Sequence, residues 1–139
     1  MKGFDGYCDY LERLTADNVD ELRSFCAADI HFKDPFNDVT GVERMRAVFV
    51  DMFEHVRGLE FRIHHRMNDG VACVIVWTLS GHIMNRDWSV DGASKLRFDA
   101  GGKLVEHIDH WDAAAGLYEK MPVVGWFARR LRKRLEVAS

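Results

Sequence analysis

No stretch of this 139-residue chain approaches the roughly 20 apolar residues that a membrane-spanning helix needs, and the opening Met1-Lys2-Gly3-Phe4-Asp5-Gly6-Tyr7 holds no apolar run of signal-peptide length. Cysteine is scarce. Cys8, Cys26 and Cys73 make an odd number without metal-type spacing, and each falls among apolar neighbours, so reduced core thiols are expected. Charge of either sign is nearly balanced: a net charge of -3 is too small for a nucleic-acid binder. Repeats, linkers and low-complexity stretches are absent. With 47% hydrophobic residues, what is left is one domain with a sizeable core, expected to be soluble and cytoplasmic.

The charge is unevenly spread. Arg129, Arg130, Arg132, Lys133 and Arg134 lie in the last eleven residues against one acid, Glu136, so the body is mildly acidic and the tail basic. Pro122 followed by Val123, Phe127, Leu131 and Leu135 predicts a basic amphipathic helix over 122–136. Its apolar side would close over the domain while its arginines stay solvated. Contact of Trp126 and Phe127 with an anionic membrane surface is the rival reading.

Phe4, Tyr7, Cys8, Leu11 and Leu14 recur at helical spacing, as do Val19, Leu22, Phe25 and Cys26, and then Val42, Met45, Phe49, Met52 and Val56. Three helices are predicted. One strand interrupts them, and Asn37-Asp38-Val39-Thr40-Gly41 reads as a loop. From Leu59 the period changes to two, with Leu59, Phe61, Ile63, His65 and Met67 in one row and turns at Asn68-Asp69-Gly70, Asn85-Arg86-Asp87 and Asp99 to Lys103. The order is α+β. Val71 to Leu79 is apolar on both faces, as in a strand covered on both sides, which fits a homodimer.

The interrupting strand holds the most informative residue. In Asp29-Ile30-His31-Phe32-Lys33-Asp34-Pro35-Phe36, alternation puts Asp34 in one row with Ile30, Phe32 and Phe36. A carboxylate facing an apolar interior must be paired, hydrogen-bonded or protonated, and such groups mark tuned acids and bases; the plainer reading is an aspartate that bonds the loop beginning at Pro35. In His107-Ile108-Asp109-His110-Trp111 the same alternation groups His107, Asp109 and Trp111. His64/His65 and Asp109/His110 are strand neighbours that point to opposite faces, so neither pair can chelate an ion and no metal is expected.

Two stretches carry a family likeness. Tyr10-Leu11-Glu12-Arg13-Leu14-Thr15-Ala16-Asp17-Asn18-Val19-Asp20, followed by Ala27-Ala28-Asp29-Ile30-His31-Phe32-Lys33-Asp34-Pro35, resembles the start of a ketosteroid isomerase. The element order over nearly the whole chain resembles the nuclear transport factor 2-like superfamily, which also includes limonene epoxide hydrolases and SnoaL-type polyketide cyclases. The resemblance implies a single cone-shaped α+β domain over 1–139, three N-terminal helices on a strongly curved, mixed or antiparallel sheet, and a C-terminal helix. It implies cofactor-free proton transfer next to a carbonyl, with Tyr10 donating to the substrate oxygen and Asp34 carrying the proton.

Ser94 falls where the isomerases hold a second, protonated acid in the oxyanion hole, and a hydroxyl donates only one weak hydrogen bond there. Asp109, with His107 beside it, resembles the last-strand aspartate of the epoxide hydrolases, whose other Arg and Asp are missing from Val74-Ile75-Val76-Trp77-Thr78. Phe32, Phe36, Phe61, Trp77, Trp88 and Trp111 would wall a pocket for a small apolar, steroid- or polyketide-like molecule. The alternative is a non-catalytic module that binds an apolar ligand or a partner protein.

Overall fold

In the computed structural model, which describes residues 3–112, the first helical pattern becomes α1 (Gly3–Glu12) and the strongest one becomes α3 (Val42–His55). The basic helix expected over 122–136 lies outside the described residues. Between them the second pattern breaks up. Val19–Glu21 is a 3-10 turn, α2 is only Leu22–Phe25, and Cys26 already begins β1 (Cys26–Lys33). The loop expected before α3 contains a short strand, β2 (Asp38–Thr40), antiparallel to β1 with Phe32 opposite Val39.

The period-two region folds as β3 (Arg57–Asn68), β4 (Cys73–Ile83), β5 (Arg86–Phe98) and β6 (Leu104–Trp111). They form a six-stranded curved sheet in the order β2-β1-β6-β5-β4-β3. Every pairing is antiparallel except that of β1 with β6, which is parallel and sets Phe32 beside His107. The first strand and the last thereby become neighbours, and the two rows that hold Asp34 and Asp109 meet. Parallel neighbours need a long crossover, and here everything from β2 to β5 serves as that crossover.

Three local readings are corrected. The β4–β5 turn is Met84-Asn85, one step earlier than expected, with φ of 49° and 65°; positive φ at both positions suits the twist of a two-residue hairpin. Val71 stands in a turn at 82% exposure, and the outer face of β4 is half-buried. The apolar row of β3 stops at Ile63, because a bulge shifts the register between Ile63 and His65 and leaves Met67 half-exposed. Glu12 at the end of α1 accepts the Ile63 N–H at 3.0 Å, and Arg66 donates to Asp5, Asp9 and Glu12. The bulge thus ties β3 to α1.

Tyr7, Leu11, Ile30, Phe32, Met45, Ile75, Trp77, Leu96 and Leu104 form the main core between the helices and the sheet. The three cysteines are buried and free, and burial pushes the thiols of Cys8 and Cys26 up to about 12. No helix among the described residues is long and apolar enough to cross a membrane.

Candidate active site

A cavity of about 90 Å³ lies between the sheet, α1 and α3. Its walls are apolar and largely aromatic, including Phe32, Phe36, Phe61, Trp77, Trp88 and Trp111, and four polar side chains reach it: Asp34, Asn37, His107 and Asp109. The alternation read from the sequence sets these directions. Phe32 and Asp34 continue one row of β1, and His107, Asp109 and Trp111 form one row of β6.

Asp34 stands just beyond the end of β1, where it organises the turn into β2. Its N–H donates to the Asn37 carbonyl at 2.8 Å. Its Oδ1 accepts the N–H groups of Phe36 (2.8 Å) and Asn37 (2.6 Å), and the Asn37 amide reaches both carboxylate oxygens at 3.1 Å. Asp34 therefore holds its loop, as the plainer sequence reading expects, and it also lines the cavity. Burial raises its carboxyl above the usual range and the charge of Asp109 adds to this, against the opposing pull of the Phe36 and Asn37 donors.

The protonated form of Asp34 is thus favoured by folding. Its contribution to stability is largest below the ordinary carboxyl value of about 4 and declines as pH rises from there through the folded-state value. Asp34→Asn, which keeps an oxygen for the loop donors, is expected to remove that decline and be at least as stable as the wild type at pH 7. Urea denaturation at neutral and acidic pH checks this. A clear loss of stability at pH 7 would mean that the loop needs the ionised carboxylate.

A chain of four hydrogen bonds runs along the sheet side. Trp77 Nε1 donates to Ser94 Oγ (2.8 Å), Ser94 Oγ donates to Asp109 Oδ1 (2.5 Å), His107 Nε2 meets the same oxygen at 2.7 Å, and His107 Nδ1 meets the Tyr7 hydroxyl at 2.8 Å. Register builds the chain, since Ser94 lies opposite Asp109 and Gly92 opposite Trp77. A Cβ on Gly92 would stand 2.5 Å from the Trp77 ring, so only glycine lets the indole lie across β5 towards Ser94.

Two sequence-derived site residues do not reach the cavity. Tyr10 is fully buried under α1, stacked on Phe25, and its hydroxyl donates to the carbonyls of Asn18 (3.0 Å) and Val19 (3.2 Å). It fastens the turn after α1. Ser94, 1% exposed, is not a lining residue and acts behind Asp109. The reading also missed Tyr7, which occupies the same helical stripe three residues before Tyr10 and reaches His107. Both tyrosines fit the pattern, and only the seat of α1 on the sheet separates them. Asn37 was passed over as a loop residue. Among the described residues no group of three or more His, Cys, Asp or Glu side chains could hold a metal ion.

The sequence model of the SnoaL-like domain matches residues 8–107, and no curated protein sequence matches the chain. Solved structures share the fold. A protein with a ketosteroid isomerase-like fold from Catenulispora acidiphila, in complex with trimethylamine, has a TM-score of 0.71 at 20% identity over 81% of this chain and 88% of that one. A protein described as a SnoaL-like polyketide cyclase from Shewanella denitrificans gives 0.67 at 22% identity over 83% and 93%. An epoxide hydrolase of the LEH-like type from M. tuberculosis gives 0.68 at 19% identity over 88% and 87%.

Proposed function

Because this chain belongs to the SnoaL-like domain family, we propose that it is a small-molecule enzyme of the ketosteroid isomerase-like or SnoaL-like kind, which moves a proton next to a carbonyl on an apolar substrate. One observation carries the reading: two carboxylates from different elements converge, with Asn37 and His107, in a cavity whose other walls are apolar, and they stand in unlike environments. Pairs of titratable groups held in unlike surroundings divide into acid and base.

The family resemblance gives Asp34 the role of base, and the contacts of the two carboxylates favour the reverse. Among the described residues the contacts of Asp109 fall on Oδ1 alone and leave Oδ2 to face a substrate, whereas both oxygens of Asp34 accept from its own loop and burial raises its carboxyl. Asp109 takes the proton from carbon as Asp34, in its acid form, gives its proton to the carbonyl oxygen; Asp109 then returns its proton to the same or a neighbouring carbon of the enol while Asp34 recovers its own from the enol hydroxyl. Dry aromatic walls strengthen each of these interactions. At about 90 Å³ the cavity is smaller than the roughly 150 Å³ that takes a benzene ring. A single ring enters as wall side chains shift, so one-ring compounds are the first probes and four-ring steroids are disfavoured.

The test uses 4-nitrophenol, whose anion mimics an enolate, with toluene as the neutral control. In Asp109→Asn the amide stands in for the protonated base and the charge repulsion is gone. Binding of the phenolate is expected to tighten about tenfold, about 1.4 kcal/mol, well within the roughly 4 kcal/mol between adjacent charges at an effective dielectric of 20. Toluene should bind both proteins alike. If calorimetry finds the phenolate as indifferent to the substitution as toluene, the cavity is a binding module for apolar ligands and the enzymatic reading fails.

A further inference from the structure

We propose that Tyr7 and Ser94 are the positioning residues of the Asp109–His107 pair: together they commit Oδ1 of Asp109 to the protein, leave Oδ2 to meet the substrate, and hold His107 in the tautomer with its proton on Nε2. The inference rests on the proton-transfer reading of Asp109.

Elementary donor and acceptor chemistry assigns every proton in the chain. The indole N–H of Trp77 can only donate, so Ser94 Oγ accepts it and has a single proton left to give. Asp109 Oδ1 receives that proton's hydrogen bond at 2.5 Å and lies 2.7 Å from His107 Nε2. If Nε2 carries the imidazole proton, it becomes the second donor to Oδ1, and Nδ1 is left as an acceptor. The Tyr7 hydroxyl, 2.8 Å away, then donates to Nδ1. Four hydrogen bonds are filled by four protons and no group is stranded.

The other tautomer fails this accounting. A proton on Nδ1 would set the lone pair of Nε2 against the carboxylate oxygen and oblige the Tyr7 oxygen to accept. The phenol's own proton would then lose its one hydrogen-bond partner among the described residues, in a side chain with 0% exposure, a cost of about 1–3 kcal/mol. Burial also raises the Tyr7 phenol well above its ordinary value, so it stays a donor. Its ring is held by Phe25, Phe98 and an edge-on contact with His107 at 5.8 Å between centroids, so the hydroxyl cannot swing away.

The consequence at Asp109 is directional. Both of its hydrogen bonds fall on Oδ1, none from the described residues falls on Oδ2, and the side chain lines the cavity at 17% exposure. With Oδ1 fixed at two points the carboxylate cannot rotate, and Oδ2 is the oxygen presented to a substrate carbon. A general base gains most of its effect from such fixed aim.

The experiment reads the tautomer directly, without any ligand. The full chain is labelled with 15N, the imidazole nitrogens are recorded through their two-bond couplings, and His107 is assigned by the signals lost in His107→Gln. In the wild type Nε2 is expected in the protonated range and Nδ1 in the unprotonated range. In Tyr7→Phe both resonances should shift towards each other as the second tautomer becomes populated, whereas Met45→Leu, a change in the core that does not line the cavity, should leave them in place. A wild-type proton on Nδ1, or a Tyr7→Phe spectrum identical to the wild type, overturns the proposal. If Tyr7→Phe does not fold, the wild-type spectrum still decides. Because no ligand is involved, a failure here leaves the 4-nitrophenol result standing, and a failure there leaves the tautomer assignment standing.

Discussion

Asp109→Asn is expected to slow proton exchange next to a carbonyl by roughly 10²–10⁴-fold, the range that a positioned general base contributes, while leaving the fold intact. The amide is the same size as the carboxylate, and its oxygen can still accept from Ser94 and His107 at the place of Oδ1. What it lacks is the basic oxygen. The measurement is deuterium incorporation into cyclohexanone, a one-ring enolisable ketone, followed by NMR in heavy water, with urea denaturation as the control for folding. An unchanged exchange rate in a folded Asp109→Asn protein would remove Asp109 from the chemistry and return the base's role to Asp34, the reading that the family resemblance implies. A rate no faster than buffer in both proteins would defeat the enzymatic proposal for this class of ketone.

The second large effect concerns stability. Trp77→Ala should cost about 3–5 kcal/mol, as removal of a buried large aromatic does, a substantial part of the 5–15 kcal/mol typical of a whole domain. The indole is 2% exposed, packs on Phe61 at 5.1 Å between centroids, lies over Gly92 and donates the first bond of the Asp109 chain. Trp77→Phe separates these roles. It keeps most of the ring but removes the N–H, so it should recover most of the stability while leaving Ser94 one donor short. Chemical denaturation of the three proteins reads the series. A Trp77→Ala penalty below about 1 kcal/mol would mean that the indole is not the packed wall described above.

These expectations draw on different levels of the molecule. That Asp34 shares a row with Ile30, Phe32 and Phe36, and Asp109 one with His107 and Trp111, is visible in the sequence, because side-chain direction in a strand alternates strictly and needs no knowledge of the partner strand. The family resemblance implies Phe32, Phe36, Phe61, Trp77, Trp88 and Trp111 as wall residues, and all six line the cavity. Local rules failed where a residue's role depends on something distant in the chain. Tyr7 and Tyr10 are equivalent by helical spacing, and only the packing of α1 sends one hydroxyl to His107 and the other to the loop carbonyls of Asn18 and Val19. Ser94 looked like a substrate donor, yet its cross-strand register makes it a support for Asp109. The row of β3 ended early because Glu12, on α1, captures the amide at the bulge.

By itself, then, the sequence determined the α+β order, the helices α1 and α3, the side-chain rows of the strands and the place of Asp34 in an apolar one, all of which follow from periods of 3.6 and 2 acting over a few residues. The tertiary structure alone decided that β1 lies parallel to β6, that Asp34 and Asp109 therefore share one cavity, and that Tyr7, His107, Asp109, Ser94 and Trp77 link into one chain. Those facts are matters of register between segments as much as 100 residues apart. Register is set by the packing of whole elements against one another, and no local period encodes it.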